Sequence, residues 1–419
     1  MDSFETMLDN YITILLTIGV NLQPDQILVL GTPGRGVNLE IAGFARSLAR
    51  KAYEMGARDV RIEWDDPELL RLRLAQASEA TLTEIPTWKV KEFEELIAGN
   101  AALLAPYAPT PDLLSDVDPR RVGLLEKTNR SAFRSIAEAI GTMKVAWTIG
   151  AVVTPTWARR VFPDLPEAEA VERLWGYVFK AVHADTPDPV AAWHEHLRQL
   201  AARVSFMNTA RFAKLHYVAP GTALTIELPA RHQWIAGSTT NAHGTTFVPN
   251  MPTEEIFTLP HRDGVSGTVR STMPLNVNGV TVEGIRLTFE HGRIVEYGAD
   301  AGYETLKEII ETDDGAHYLG EVALVPNESA VNFGVPLYNT LFDENAACHL
   351  AIGRAYPFSL EGGDQMTPEQ LAAAGVNTSL QHVDFMIGSA ALHIDGETTS
   401  GERVPVFRDG TWTPNVLAG

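Results

Sequence analysis

Residues 26–64 carry the clearest alternation of apolar and polar positions in the chain. "QILVLGT" is a short apolar run, "NLEIAGFARSLARKAYEMGA" repeats apolar residues at helical spacing, and "DVRIEW" is a second short run. Strand, helix and strand at this spacing predict a parallel βαβ unit. The intervening "GTPGRG" sets Gly31, Gly34 and Gly36 at the strand-to-helix turn. Their order is not the GxGxxG of a dinucleotide site, so they read as glycines that shape a turn.

The same rhythm continues downstream. "KVKEFEELIAGN" and "SAFRSIAEAIGT" predict helices, and "AALLAPYA" and "KVAWTIG" predict strands. "PEAEAVERLWGYVFKAVHA" and "DPVAAWHEHLRQLAARVSFMN" predict two more helices. Alternating β and α elements favour an open α/β sheet covered by helices. The texture changes near residue 211. "KLHYVAPGTALTIELP" predicts two strands about a Pro-Gly turn, and "GVTVEGIRLTFEHGRIVEYGA" a hairpin turning at "HGR". "GYETLKEIIETDDGAHYLGEVALV" returns to helix, then strand. The expected class is therefore α/β: an N-terminal open α/β sheet domain over residues 1–210 and a C-terminal mixed α+β domain over 211–419.

Composition narrows the function. The 419 residues are 45% hydrophobic and 21% charged, ordinary globular values with material for a large core. Lys and Arg number 33 against 53 Asp and Glu, a net charge of −20. Such a chain is a poor partner for nucleic acid or an anionic membrane surface. The apolar run Ile12–Val20 lacks a basic flank and is too short to span a bilayer, so it reads as part of an amphipathic first helix. One cysteine, Cys348, excludes an internal disulfide framework and a multi-cysteine zinc site, and suits a reducing cytoplasm.

The candidate chemistry lies in the second half. In "YNTLFDENAACHLAIGRAYP" an apolar segment carries Asp343, Glu344, His349, Arg354 and Tyr356. Its Ala, Leu and Ile content predicts a buried helix, on which His349 and Tyr356, seven residues apart, share a face. In "QHVDFMIGS" a strand would point His382 and Asp384 to one side. "LGEVALVP" places Glu321 inside an apolar strand, and "PNMPTEEIFTLP" carries Glu254 and Glu255. Each has a plain structural reading: His349 as a satisfied core histidine, Glu254–Glu255 as solvated charge, Asp343–Glu344 as the first turn of a helix. Together they pose a problem of charge, because buried carboxylates need compensation. One candidate set joins Glu255, Glu321, Glu344 and Asp384 with the neutral imidazoles of His349 and His382. Two divalent ions would balance its four negative charges. Oxygen and nitrogen donors without thiolate suit Zn2+, Co2+, Mn2+ or Mg2+, and paired metals are the usual device for activating water.

"NMPTEEIFT", "LGEVALVP", "YNTLFDENAACHLAIGRAYP" and "HVDFMIGS", in this order, resemble the thermophilic metallo-aminopeptidases typified by aminopeptidases T and S. The resemblance is dense from about residue 250 to 390 and extends with less specific motifs through the N-terminal βαβ region. It implies a dinuclear aminopeptidase acting on peptides with a free N-terminus. It also implies a C-terminal catalytic domain and a homodimer whose active sites face an internal cavity. Matched position by position, the implied metal ligands are Glu255, Glu321, Glu344, His349, His382 and Asp384. Glu321 matches the carboxylate that bridges the metals, and Tyr356 the catalytic tyrosine. The choice of Glu255 over Glu254 follows the family's spacing to the Gly-Glu-Val glutamate.

The expected reaction is attack on the scissile carbonyl by a metal-bridging hydroxide. Glu321 carries the proton to the leaving amine, and Tyr356 donates to the oxyanion. Three rivals stand beside it. A two-metal phosphoesterase would use the same ligands, although only Arg354 lies near them. A cysteine hydrolase would need Cys348 to pair with a histidine. A non-catalytic binding protein would use the "GTPGRG" turn.

Overall fold

The computed structural model describes every residue except Met1, Asp2, Arg35, Pro111, Asp112, Ser115, Asn278, Gly279, Ala418 and Gly419, and the side chains of Pro119 and Leu417. Arg35 of the "GTPGRG" turn thus lies outside the described residues. The chain divides into two compact units: Met1–Glu195 with Ser238–Pro252, and His196–Gly237 with Thr253–Gly419. The division falls inside the long helix Pro189–Ala210. Among the described residues no helix is long and apolar enough to cross a membrane.

The first unit is built on a parallel sheet. Strand β1 (Ile27–Leu30) pairs with β2 (Asp59–Ile62) on one side and β3 (Ala102–Tyr107) on the other. β4 (Trp147–Ala151) extends β3, and the short strand Asn250–Met251 completes the sheet. The helix Ala42–Glu54 crosses from β1 to β2 and buries Phe44, Ala45, Leu48 and Ala52. This is the βαβ unit that the hydrophobic spacing predicts. Gly36 belongs to its turn because a Cβ there would lie 2.7 Å from that of Asp65. One sheet face packs Val29 and Leu103 against Phe93, Leu96 and Ile136 from the helices Thr87–Ala98 and Arg134–Gly141.

The second unit holds two sheets over one large core. The eight-stranded sheet begins with the hairpin Lys214–Ala219 and Thr222–Glu227 and includes the hairpin Arg286–Glu290 and Arg293–Gly298. Both arise where turn residues interrupt alternating runs. The other sheet, which carries the site, is antiparallel. It runs β8 (His382–Met386), β7 (His349–Gly353), β6 (Leu319–Leu324), β5 (Ile256–Thr258) and then Ile235–Ala236.

The buried helix expected to carry His349 and Tyr356 does not form. Helical structure spans only Thr340–Asp343 and a 3-10 turn at Glu344–Ala346, and from His349 the chain is strand β7. β7 is held on both sides, by β6 and β8, and those backbone bonds override the helical propensity of a short Ala- and Leu-rich run. His349 and Tyr356 therefore share no helix face. His349 opens the strand, and Tyr356 immediately precedes the 3-10 turn Pro357–Ser359. At the end of β7, Gly353 adopts φ +103°, and a Cβ there would sit 2.4 Å from the Gln381 carbonyl oxygen. The glycine lets the chain turn sharply, so that Arg354 N–H donates to Gln381 O at 2.7 Å.

Candidate metal centre

Strand register assembles most of the site. Across β6, β7 and β8, Ala323 faces His349, which faces Met386; Glu321 faces Ala351, which faces Asp384; and Gly353 faces His382. Side chains alternate along a strand, so Glu321, His349, His382 and Asp384 all project from one face. The residues between them, Ala323, Ala351 and Gly353, are small and leave room for the polar side chains on that face. The opposite face is apolar. Val322, Leu324, Leu350, Ile352 and Phe385 are all buried in the core, where each large side chain contributes about 1.5–3 kcal/mol. A one-residue slip would turn the polar set into the apolar core and the apolar side chains toward the acids, so the core fixes the site's geometry.

Glu255 joins from the turn before β5. His349 Nε2 lies 3.0 Å from a Glu255 oxygen and 3.6 Å from Glu321 Oε1. His382 Nε2 lies 3.7 Å from Glu321 Oε2 and 3.7 Å from Asp384. Glu321 thus presents one oxygen to each histidine. The donor atoms of Glu255, Glu321 and His349 lie within 4.8 Å of one another, as do those of Glu321, His382 and Asp384. The neighbouring Glu254 faces elsewhere, with its carboxylate 3.9 Å from His196 Nε2.

Both imidazoles are oriented by backbone. His349 Nδ1 lies 3.1 Å from Ala347 O, and His382 Nδ1 lies 2.7 Å from Arg354 O. Each Nδ1 therefore carries the proton and donates, which leaves Nε2 free to ligate, an arrangement common around bound metals.

The acids are under electrostatic strain. Burial pushes Glu321 up to about 7; the nearby His349 works against this, while Asp384 and Glu255 add to it. Burial and the charges of Asp384 and Glu255 hold Glu344 well above the usual carboxylate range. Burial opposes charge on His349, yet Glu255 and Glu321 raise its ionisation well above that of an ordinary histidine. Asp384 Oδ1 is buried without a hydrogen-bond partner. Crowded acids and two Nε2 atoms aimed at their carboxylates fit divalent cations, and the two donor groups that share Glu321 are compatible with a dinuclear site.

Tyr356 borders this cluster, its ring centre 4.7 Å from that of His382. Burial and the charges of Glu321 and Asp384 push its phenol well above the ordinary value. Of the acidic pair at 343–344, Asp343 has a different task. Its carboxylate accepts from Leu337 N–H at 2.7 Å and Asn339 N–H at 3.1 Å. Cys348, adjacent to His349 but before the strand, lies with its sulfur 3.2 Å from Val325 O, and burial pushes its thiol up to about 12. That is the wrong direction for a nucleophile.

Sequence reasoning missed Asn345. It is fully buried, accepts from Glu254 N–H at 2.7 Å, donates to Leu341 O at 2.9 Å, and its carbonyl accepts from Ser329 Oγ at 2.9 Å. It ties the turn that carries Glu255 to the turn that carries Glu344. Its position between Glu344 and the apolar run was the available signal, obscured by the helical reading.

Residues 4–412 match the family described as thermophilic metalloprotease (M29). "Aminopeptidase 2" of Geobacillus stearothermophilus is 47% identical over 413 residues, 98% of this chain and 99% of that protein. "Aminopeptidase AmpS" of Bacillus subtilis is 44% identical over 98% of this chain and its own full length. The structure of wild-type AmpT from Thermus thermophilus superposes with a TM-score of 0.92 at 41% identity, covering 98% of this chain and 100% of that one.

Proposed function

The chain belongs to the M29 thermophilic metalloproteases, and from that premise we propose that it is a two-metal aminopeptidase removing N-terminal residues from peptides. The observation that carries this reading is the one-faced cluster on β6, β7 and β8, in which Glu321 offers one oxygen to each of two backbone-oriented histidines. Glu255, Glu344 and His349 would hold one cation with Glu321, and His382 and Asp384 the other. Zinc or cobalt suits the imidazole pair best among Zn2+, Co2+, Mn2+ and Mg2+. When bound, such a pair lowers the pKa of water and polarises a carbonyl.

The chain's own groups do the rest. Glu321, set between the two histidines, takes a proton from the attacking water and returns it to the leaving amine. Tyr356 keeps its proton at neutral pH, since its phenol is pushed up, and donates it in a hydrogen bond to the developing oxyanion. The crowded carboxylates would also attract the α-ammonium group of a free N-terminus, which restricts cleavage to the first residue.

The test is hydrolysis of aminoacyl anilides beside their N-acetylated forms and phosphate esters, before and after EDTA, with the metal content measured. We expect cleavage of the free-amine anilides alone, lost on chelation and restored by zinc or cobalt. Activity that survives full metal removal would sink the reading, and phosphate-ester turnover would favour the two-metal phosphoesterase. The homodimer and the cytoplasmic location go with this proposal; light scattering and cell fractionation test them.

A further inference from the structure

Resting on the two-metal aminopeptidase reading, we propose that Phe358 is a positioning residue that clamps the Tyr356 ring, so that its hydroxyl is aimed before substrate arrives. Four rings follow one another at the site. Phe257 meets Phe358 edge-on, with centres 6.3 Å apart at 79°. Phe358 stacks on Tyr356 at 5.2 Å and 14°, and Tyr356 leans on His382 at 4.7 Å and 49°. Both ends of this series are anchored. Phe257 lies on β5, opposite Ala323 and so on the site-facing side of the sheet, and His382 is held through Nδ1 by Arg354 O.

All four side chains are only partly buried, so core packing alone does not hold the phenol. The backbone beneath Phe358 is fixed instead. Ser359 N–H donates to Tyr356 O and Leu360 N–H to Pro357 O, each at 3.0 Å, in a turn that begins with a proline. A rigid turn thus carries the stacking ring two residues beyond the tyrosine it supports. A donor aimed in advance stabilises a transition state more than one that must be gathered at the moment of reaction.

The experiment is a double-mutant cycle with a structural arm. Phe358→Ala should lower kcat about ten-fold while KM moves less than about two-fold, and Phe358→Tyr, which keeps the stack, should restore most of the rate. In a Tyr356→Phe background Phe358→Ala should cost nothing further. A crystal structure of Phe358→Ala, with metal content and circular dichroism matching the parent, should show the Tyr356 ring moved off its present stack. An unmoved ring, an equal loss in both backgrounds, or a raised KM at constant kcat would each overturn the clamp. If Tyr356→Phe were itself fully active, the catalytic role of Tyr356 would fall, and the ring position in the Phe358→Ala crystal would still decide the clamp.

Discussion

Asp343 and Glu321 are both buried carboxylates pushed up to about 7, and they differ in what surrounds them. Around Asp343 the neighbours are the backbone N–H groups of Leu337, Asn339 and Tyr338, which counter the burial. Its oxygens are occupied, and the result is a pinned loop. Around Glu321 the neighbours are two histidines and two further acids. Those acids repel it, and the counterweight comes from the histidine side chains. Burial alone does not distinguish the two regions. A buried acid that faces N–H groups holds structure, whereas one that faces other acids calls for a cation.

The largest expected effect sharpens this contrast. Glu321→Gln should lower kcat by about a hundred-fold to ten-thousand-fold while leaving the thermal stability of the metal-free protein unchanged or higher, because it removes one of several mutually repelling charges. A large stability loss with modest loss of rate would put Glu321 in the same class as Asp343. Next comes Asn345→Ala, which leaves Glu254 N–H without its buried acceptor and should destabilise by about 1–3 kcal/mol in denaturant unfolding. Because Asn345 couples the Glu255 and Glu344 turns, metal affinity should fall about ten-fold or more as well; unchanged affinity would reduce it to a loop anchor.

The smallest effect concerns pH. The folded pKa of Asp343, near 7, lies above the unfolded value of about 4. The stability it contributes is therefore full below about pH 4 and is lost as pH rises through about 7. Asp343→Asn removes this titration, so its stability relative to the parent should be better at pH 8 than at pH 5. A constant difference between those pH values would mean that the N–H donors hold the carboxylate at its ordinary value.

Much of the fold was legible because local pattern and final pairing agree. The βαβ unit, the hairpin at His291–Gly292 and strand β8 each carry their own period. His382 and Asp384 could be placed on one face from a two-residue spacing alone. Residues 346–353 were not legible in this way. "AACHLAIG" satisfies a buried helix and a buried strand equally, and what decides is pairing with strands some thirty residues to either side. Asn345 and Phe358 were hidden for a related reason. Their importance lies in Glu254 N–H and the Tyr356 ring, contacts that exist only after the chain has closed.

The burial of Cys348 has a practical corollary. It is the chain's single sulfhydryl, fully enclosed and engaged with Val325. A cysteine engineered onto the exterior would therefore be the sole target for a maleimide dye or spin label in the native protein. Distances between chosen surface points could then be followed during turnover without first stripping out a competing thiol.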